Sequence, residues 1–203
     1  MREFYQRDMR LALGNYTGQV AIERKAMTKN KSAKKGKKKS KQSTQGNNRS
    51  LRQHLLELLA GGGAHAKFED VVKNFPVELR DKKPAGFPHS PWMILEHLRI
   101  AQWDILEFSR NAKHVSPAWP VGYWPQVSAP PNDHAWDKSI KAFRRDLKAM
   151  QNLVADPKSD LFARIPWGDG HTILREALLA ADHNAYHLAQ LVDVRRLLRA
   201  WKD

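Results

Sequence analysis

Residues 136–154 read WDKSIKAFRRDLKAMQNLV, and the spacing of their apolar residues decides the class of fold. Trp136, Ile140, Phe143, Leu147, Met150 and Val154 recur at steps of 4, 3, 4, 3 and 4. At about 3.6 residues per turn those steps bring all six side chains onto one face of a helix. Pro130-Pro131-Asn132-Asp133 precedes the stretch and Pro157 follows it, so the helix has a defined start and stop.

The same helical pattern holds on either side. Leu51, Leu55, Leu58 and Leu59 form a short stripe that Gly61, Gly62 and Gly63 stop. Phe68, Val71, Val72 and Phe75 form a second stripe, ended by Pro76. Ser90-Pro91 opens a helix to about residue 112, with Ser as N-cap and Pro at the first helical position. Residues 114–132 hold five Pro, two Trp and a Tyr, and are too long for an ordinary bundle loop. A crossover or a lid is expected there. The last helix runs over about 172–200, capped by Thr172 or Asp169, with Ile173, Ala177, Ala180, Leu188, Leu191, Val194 and Leu198 on its apolar face. There is no strand-like alternation and no internal repeat. The expected architecture is an all-α four-helix bundle with a long crossover connection, a short leading helix and a disordered basic N-terminal tail.

That tail accounts for most of the charge. Residues 1–50 hold 14 Lys+Arg against 3 Asp+Glu, and residues 51–203 hold 21 against 18. The run Lys29–Lys41 has eight lysines and neither an aromatic nor a β-branched residue. Such a segment buries too little apolar surface to offset its ordering entropy, so 1–49 is expected to be a tail and 50–203 the bundle. Met27 is an alternative translation start, which would place residues 1–26 outside the natural chain. The rest of the chain is expected to carry no basic stripe. There is no cysteine, which excludes disulfide scaffolds, thiolate metal sites and cysteine nucleophiles. No apolar run is long enough to span a membrane. A cytoplasmic location is expected.

Among nine histidines, three stand out. His183 and His187 are spaced i, i+4, so their Cβ atoms stack on one helix face roughly 6 Å apart. Ala180 and Leu191 lie on that face, which therefore points inward. His97 has Ile94 three residues before it and Ala101 four after it, so it also faces the core. Three buried imidazoles need partners at both nitrogens, and repel one another if protonated. A shared divalent ion held by His97, His183 and His187 meets both requirements. His54, His65, His89, His114, His134 and His171 read as solvated or capping residues.

Ser90-Pro91-Trp92-Met93-Ile94-Leu95-Glu96-His97-Leu98, together with Ala181-Asp182-His183-Asn184-Ala185-Tyr186-His187-Leu188-Ala189-Gln190, resembles the DinB-like (YfiT-like) superfamily. The resemblance covers roughly residues 50–200 and includes the Trp- and Pro-rich connector. It implies a crossover four-helix bundle and a divalent metal bound by one His of the second main helix and a His–x3–His pair of the last. Here those positions are His97, His183 and His187.

An ion held by three neutral imidazoles keeps its charge and its open positions. Such an ion is expected to activate either a water for hydrolysis or a low-molecular-weight thiol for transfer; some members of the family that this chain resembles suggest the second. The ligands suit Zn, Ni, Fe or Mn. Glu176 and Tyr186 are weak candidates for a catalytic group. Glu176, Asp182, Asn184 and Glu96 read more simply as solvated residues or polar neighbours of the ligands. Trp119, Tyr123 and Trp124 either roof the pocket or pack the connector. Two rivals stand beside the small-molecule enzyme: a non-catalytic metal-binding stress-response bundle, and a protein making weak, non-specific nucleic-acid contacts through its lysine-rich tail. The aromatic connector could also cover a homodimer face.

Overall fold

The computed structural model describes residues 33–201, with side chains from residue 46 onward. The amphipathic character of residues 1–26, the start at Met27 and the beginning of the lysine run lie outside the described residues. Contacts divide the chain after Gln42, and the bundle belongs to the unit Ser43–Asp203. In the first unit the described residues, 33–42, are helical.

The helices are α1 (Ala33–Ala60), α2 (Phe68–Val72), α3 (Pro91–Arg110), α4 (Ala135–Ala155) and α5 (Ile173–Leu197). Among the described residues there is no strand, only an isolated antiparallel bridge between Arg164 and Thr172. The all-helical bundle expected from the periodicity is the fold found. One boundary differs: α1 begins at Ala33 rather than near residue 50. Residues 33–45 are mostly Lys, Ala, Gln and Ser, of which the first three carry little helix penalty. The short helix is therefore α2 and not the leading one. Gly61 and Gly62, at φ of 68° and 82°, end α1 in a conformation that side-chain-bearing residues rarely adopt.

The caps follow the sequence. Ser90 Oγ accepts from the Met93 amide at 3.2 Å, and Thr172 Oγ1 accepts from the Arg175 amide at 3.2 Å. Thr172, not Asp169, is thus the N-cap of α5. Helix α3 packs against both α4 and α5. The core falls into two apolar clusters. One gathers Phe68, Trp92, Leu95, Leu98, Trp136, Phe143, Leu188 and Leu191. The other gathers Leu55, Leu59, Ile105, Leu106, Met150, Ala177, Ala180 and Ala181. Along α3 and α5 a polar layer separates them, made of His97, Gln102, Asn184 and His187, all buried. Helix α4 departs from one expectation. Lys138, Lys141, Arg145 and Lys148 are all exposed, at steps of 3, 4 and 3, so the bundle does carry a short basic stripe.

Two arginines tie helix ends together. Arg52 of α1 donates through Nη1 to the carbonyls of Val154 (2.5 Å) and Asp156 (3.0 Å), and through Nη2 to that of Ser159 (2.5 Å). These carbonyls lie at and beyond the C-terminus of α4. Arg195, buried on α5, donates to the carbonyls of Val71 (2.7 Å), Lys73 (2.8 Å) and Ala200 (2.8 Å). The last carbonyls of a helix have no partner within it, and a guanidinium supplies several donors at once. A five-residue helix such as α2 would not persist without such a tie. Replacing Arg195 with Met keeps the apolar stem and removes the donors. It should lower the unfolding free energy by about 2–4 kcal/mol in urea denaturation, because buried carbonyls lose charged partners.

Candidate metal centre

His97 lies seven residues along α3 from the Ser90 cap, and the α3–α5 packing brings it against the His183–His187 face. His97 Nε2 is 3.0 Å from His187 Nε2 and 3.0 Å from His183 Nε2. The three ligand nitrogens all lie within 4.8 Å of one another. Two nitrogens each about 2.0–2.1 Å from one ion can be at most about 4.2 Å apart, so both 3.0 Å pairs suit a shared ion.

The ring protons decide what these contacts are. His97 Nδ1 faces the Tyr123 main-chain carbonyl at 2.9 Å, and His187 Nδ1 faces the side-chain oxygen Oε1 of Gln190 at 2.8 Å. Both oxygens only accept, so both Nδ1 atoms carry the proton. In neutral imidazoles Nε2 is then a bare lone pair. The 3.0 Å approach of His97 Nε2 to His187 Nε2 is therefore lone pair against lone pair, not a hydrogen bond. A cation between them turns that repulsion into ligation. The residues present thus fit a divalent ion on geometry and on tautomer.

Burial keeps the rings neutral. It lowers the His97 pKa to about 4, with His187 adding to the effect. His187 is lowered to about 4, again chiefly by burial, with Gln190 opposing. His183 falls to about 2 through burial and then the two neighbouring rings. All three are ready to bind a metal at neutral pH without first losing a proton.

The connector roofs the site, but only partly as anticipated. The Trp124 ring lies flat on His97, with centroids 3.8 Å apart and planes 3° apart. His89 stacks on the other face of Trp124 at 3.9 Å and 13°. Tyr123 contributes its carbonyl, while its hydroxyl donates to Asp104 at 2.5 Å. Burial, and then Asp104, hold the Tyr123 phenol well above the usual tyrosine range, so it remains a donor. Trp119 is exposed and touches Tyr123 rather than the histidines. His114 is no solvated residue: its side chain is largely enclosed and bonds Asp104 Oδ1 at 2.7 Å. His89 is half-buried in the aromatic stack.

The weak catalytic candidates are not brought to the ring nitrogens. Glu176 is buried, and its carboxylate accepts from Arg175 Nη1 at 2.8 Å and lies 3.2 Å from His171 Nδ1. Tyr186 is exposed, with its ring edge-on to His187 at 4.9 Å. Asp182 is exposed. Glu96 pairs with Arg99 at 2.6 Å and accepts from Ser139 at 2.6 Å. Asp104 was not singled out from the sequence, although it lies seven residues after His97, two turns on along the same side of α3. The Tyr123 carbonyl carries no sequence signal at all, since every residue has one.

The family model of the DinB superfamily matches residues 62–191. No curated protein and no solved structure matches the chain.

The depressed histidines predict how the chelator-treated protein responds to acid. Unfolded, these rings take up a proton near pH 6.5; folded, His97 and His187 do so only near about 4. Between those values the unfolded chain binds more protons. Stability is therefore full above about pH 6.5 and is lost as pH falls toward about 4. Urea midpoints measured across that range should fall steadily, and His183→Leu should flatten the slope.

Proposed function

The chain belongs to the DinB superfamily, and from that premise we propose that it is a metal-dependent enzyme whose one divalent ion is held by His97, His183 and His187. The observation that carries this is the pair of inward Nε2 lone pairs 3.0 Å apart, with both rings fixed by outer acceptors. A divalent ion bound there would supply a Lewis acid that lowers the pKa of a ligated water or thiol.

Thiol transfer comes first among the reactions, hydrolysis second. The metal-ligating cluster found among the described residues contains histidines and no carboxylate. Glu176, the nearest thing to a base in the sequence, is held by Arg175 and cannot take up a substrate proton without breaking that pair. A thiol with a pKa near 8.5 needs little help to ionise, whereas water at about 15.7 needs much more. A site that offers an undiminished positive charge and no carboxylate base therefore favours the thiol. The Trp124 indole excludes water from one face of His97, which strengthens the field at the nitrogens.

Non-catalytic metal binding is the second reading, and the aromatic stack His89–Trp124–His97 favours it by closing one side of the site.

Metal content decides the premise and turnover decides between the readings. The full chain, prepared without a polyhistidine tag and analysed by mass spectrometry, should carry one divalent ion, and His97→Ala and His187→Ala should carry none. The loaded parent should then consume low-molecular-weight thiols with electrophilic acceptors, and both variants should fall to background. A metal-loaded parent inert toward thiols and hydrolysable esters alike would leave the binding role in place and remove the enzyme.

A further inference from the structure

Three buried polar atoms in the layer between the apolar clusters have no hydrogen-bond partner: His183 Nδ1, Asn184 Oδ1 and Gln102 Nε2. Gln102 and Asn184 meet across the α3–α5 contact, where Asn184 Nδ2 donates to Gln102 Oε1 at 2.8 Å. Both residues are buried, at 0% and 7% exposure. Each amide thus uses one of its two polar ends and leaves the other idle, an arrangement that costs stability unless something else uses it.

The ligands show what that use is. His97 has the Tyr123 main-chain carbonyl behind its Nδ1, and His187 has the Gln190 side-chain Oε1 behind its own. Among the described residues His183 Nδ1 has no acceptor. Yet Asn184 follows it directly on α5, and the Asn184 Oδ1 is itself buried and idle. Left alone, a neutral His183 can place its proton on Nε2, where it points at His97 Nε2, 3.0 Å away. That tautomer blocks ligation. An acceptor at Nδ1 selects the other one and turns the third lone pair inward.

We propose that the Gln102–Asn184 amide pair is the positioning support of His183: the Asn184 carbonyl accepts the His183 Nδ1–H, and Gln102 holds that amide in orientation. Two of the three idle atoms then satisfy each other. Each ligand imidazole has an oxygen behind it, from the connector for His97 and from α5 itself for His187 and His183. Gln102 lets α3 control a ligand on α5, so the helix contact that builds the site also orients it. The inference rests on the three-histidine metal reading above.

The test uses the full chain and Zn or Ni ions titrated against a competing chelator. Asn184→Leu should weaken metal binding by about 10–100-fold. Gln102→Met should weaken it less, and Asn184→Asp, which keeps an acceptor, should bind as tightly as the parent or tighter. Because Asn184→Leu also strips Gln102 Oε1 of its donor, the stability control is the double variant Gln102→Met/Asn184→Leu, which removes both amides and should keep a metal-free melting temperature near the parent's while losing the metal affinity. Side-chain nitrogen NMR of the loaded parent should show His183 protonated on Nδ1. Asn184→Leu binding within twofold of the parent would overturn the proposal, as would Asn184→Asp losing affinity like Asn184→Leu. A parent that takes up no ion would remove the metal reading itself, an outcome distinct from equal binding by parent and variant.

Discussion

Imidazole lone pairs 3.0 Å apart inside a helical bundle repel one another, and the rest of the structure is arranged around that repulsion. Bulk water has little access to it, since His97 and His187 are buried. Protonation cannot relieve it either, because burial drives the pKa of these rings to about 4. A cation held between the nitrogens would relieve it, and His97, His183 and His187 together could hold one. The apolar clusters above and below the layer supply the folding free energy that holds the nitrogens together, with residues such as Leu95, Leu98, Leu106 and Leu191 fully enclosed. Side chains that would drift apart on their own are kept close by packing that has nothing to do with metal.

The long connector has a comparable logic. A loop rich in proline and aromatic residues is stiff, and this one brings a backbone carbonyl to His97 and an indole onto its face. It is secured from the bundle side by Asp104, which receives the Tyr123 hydroxyl and pairs with His114. Asp104 and His97 are both on α3, so the helix that supplies a ligand also anchors the loop that fixes that ligand's proton. Loss of either contact would free the connector at one end and release the tautomer at the other.

Chemistry at such a centre is governed by what is missing from the ligand set as much as by what is in it. With the carboxylate of Glu176 committed to Arg175, neutral imidazoles would leave a bound ion its full charge, the condition on which the proposed thiol chemistry rests. The exposed basic residues of α4 lie on the helix's outer face, where they add to solubility and to weak attraction for anions without touching the ligands.

Much of this was legible in the residues before any coordinates. The steps of Trp136–Val154, the Ser90-Pro91 cap and the i, i+4 pair His183–His187 are local facts, set by helix periodicity and by the few residues that cap helices well. Local rules also named His97, because Ile94 and Ala101 share its side of α3. They miss His89 and His114, which read as solvated or capping residues, and they do not choose between roof and packing for Tyr123 and Trp124. Those residues sit on irregular backbone or, for Tyr123, in a single 3-10 turn, where no period relates one side chain to the next. Composition puts the start of α1 near residue 50 because it weighs entropy over a whole segment, whereas helix propensity residue by residue allows the start at Ala33. Sequence determined which side chains face the core. Only the tertiary packing of α3 on α5, and of the connector over both, decided which of their nitrogens meet and which end of each ring keeps its proton. Those depend on contacts between residues some ninety positions apart, such as His97 and His187, and no local pattern encodes them.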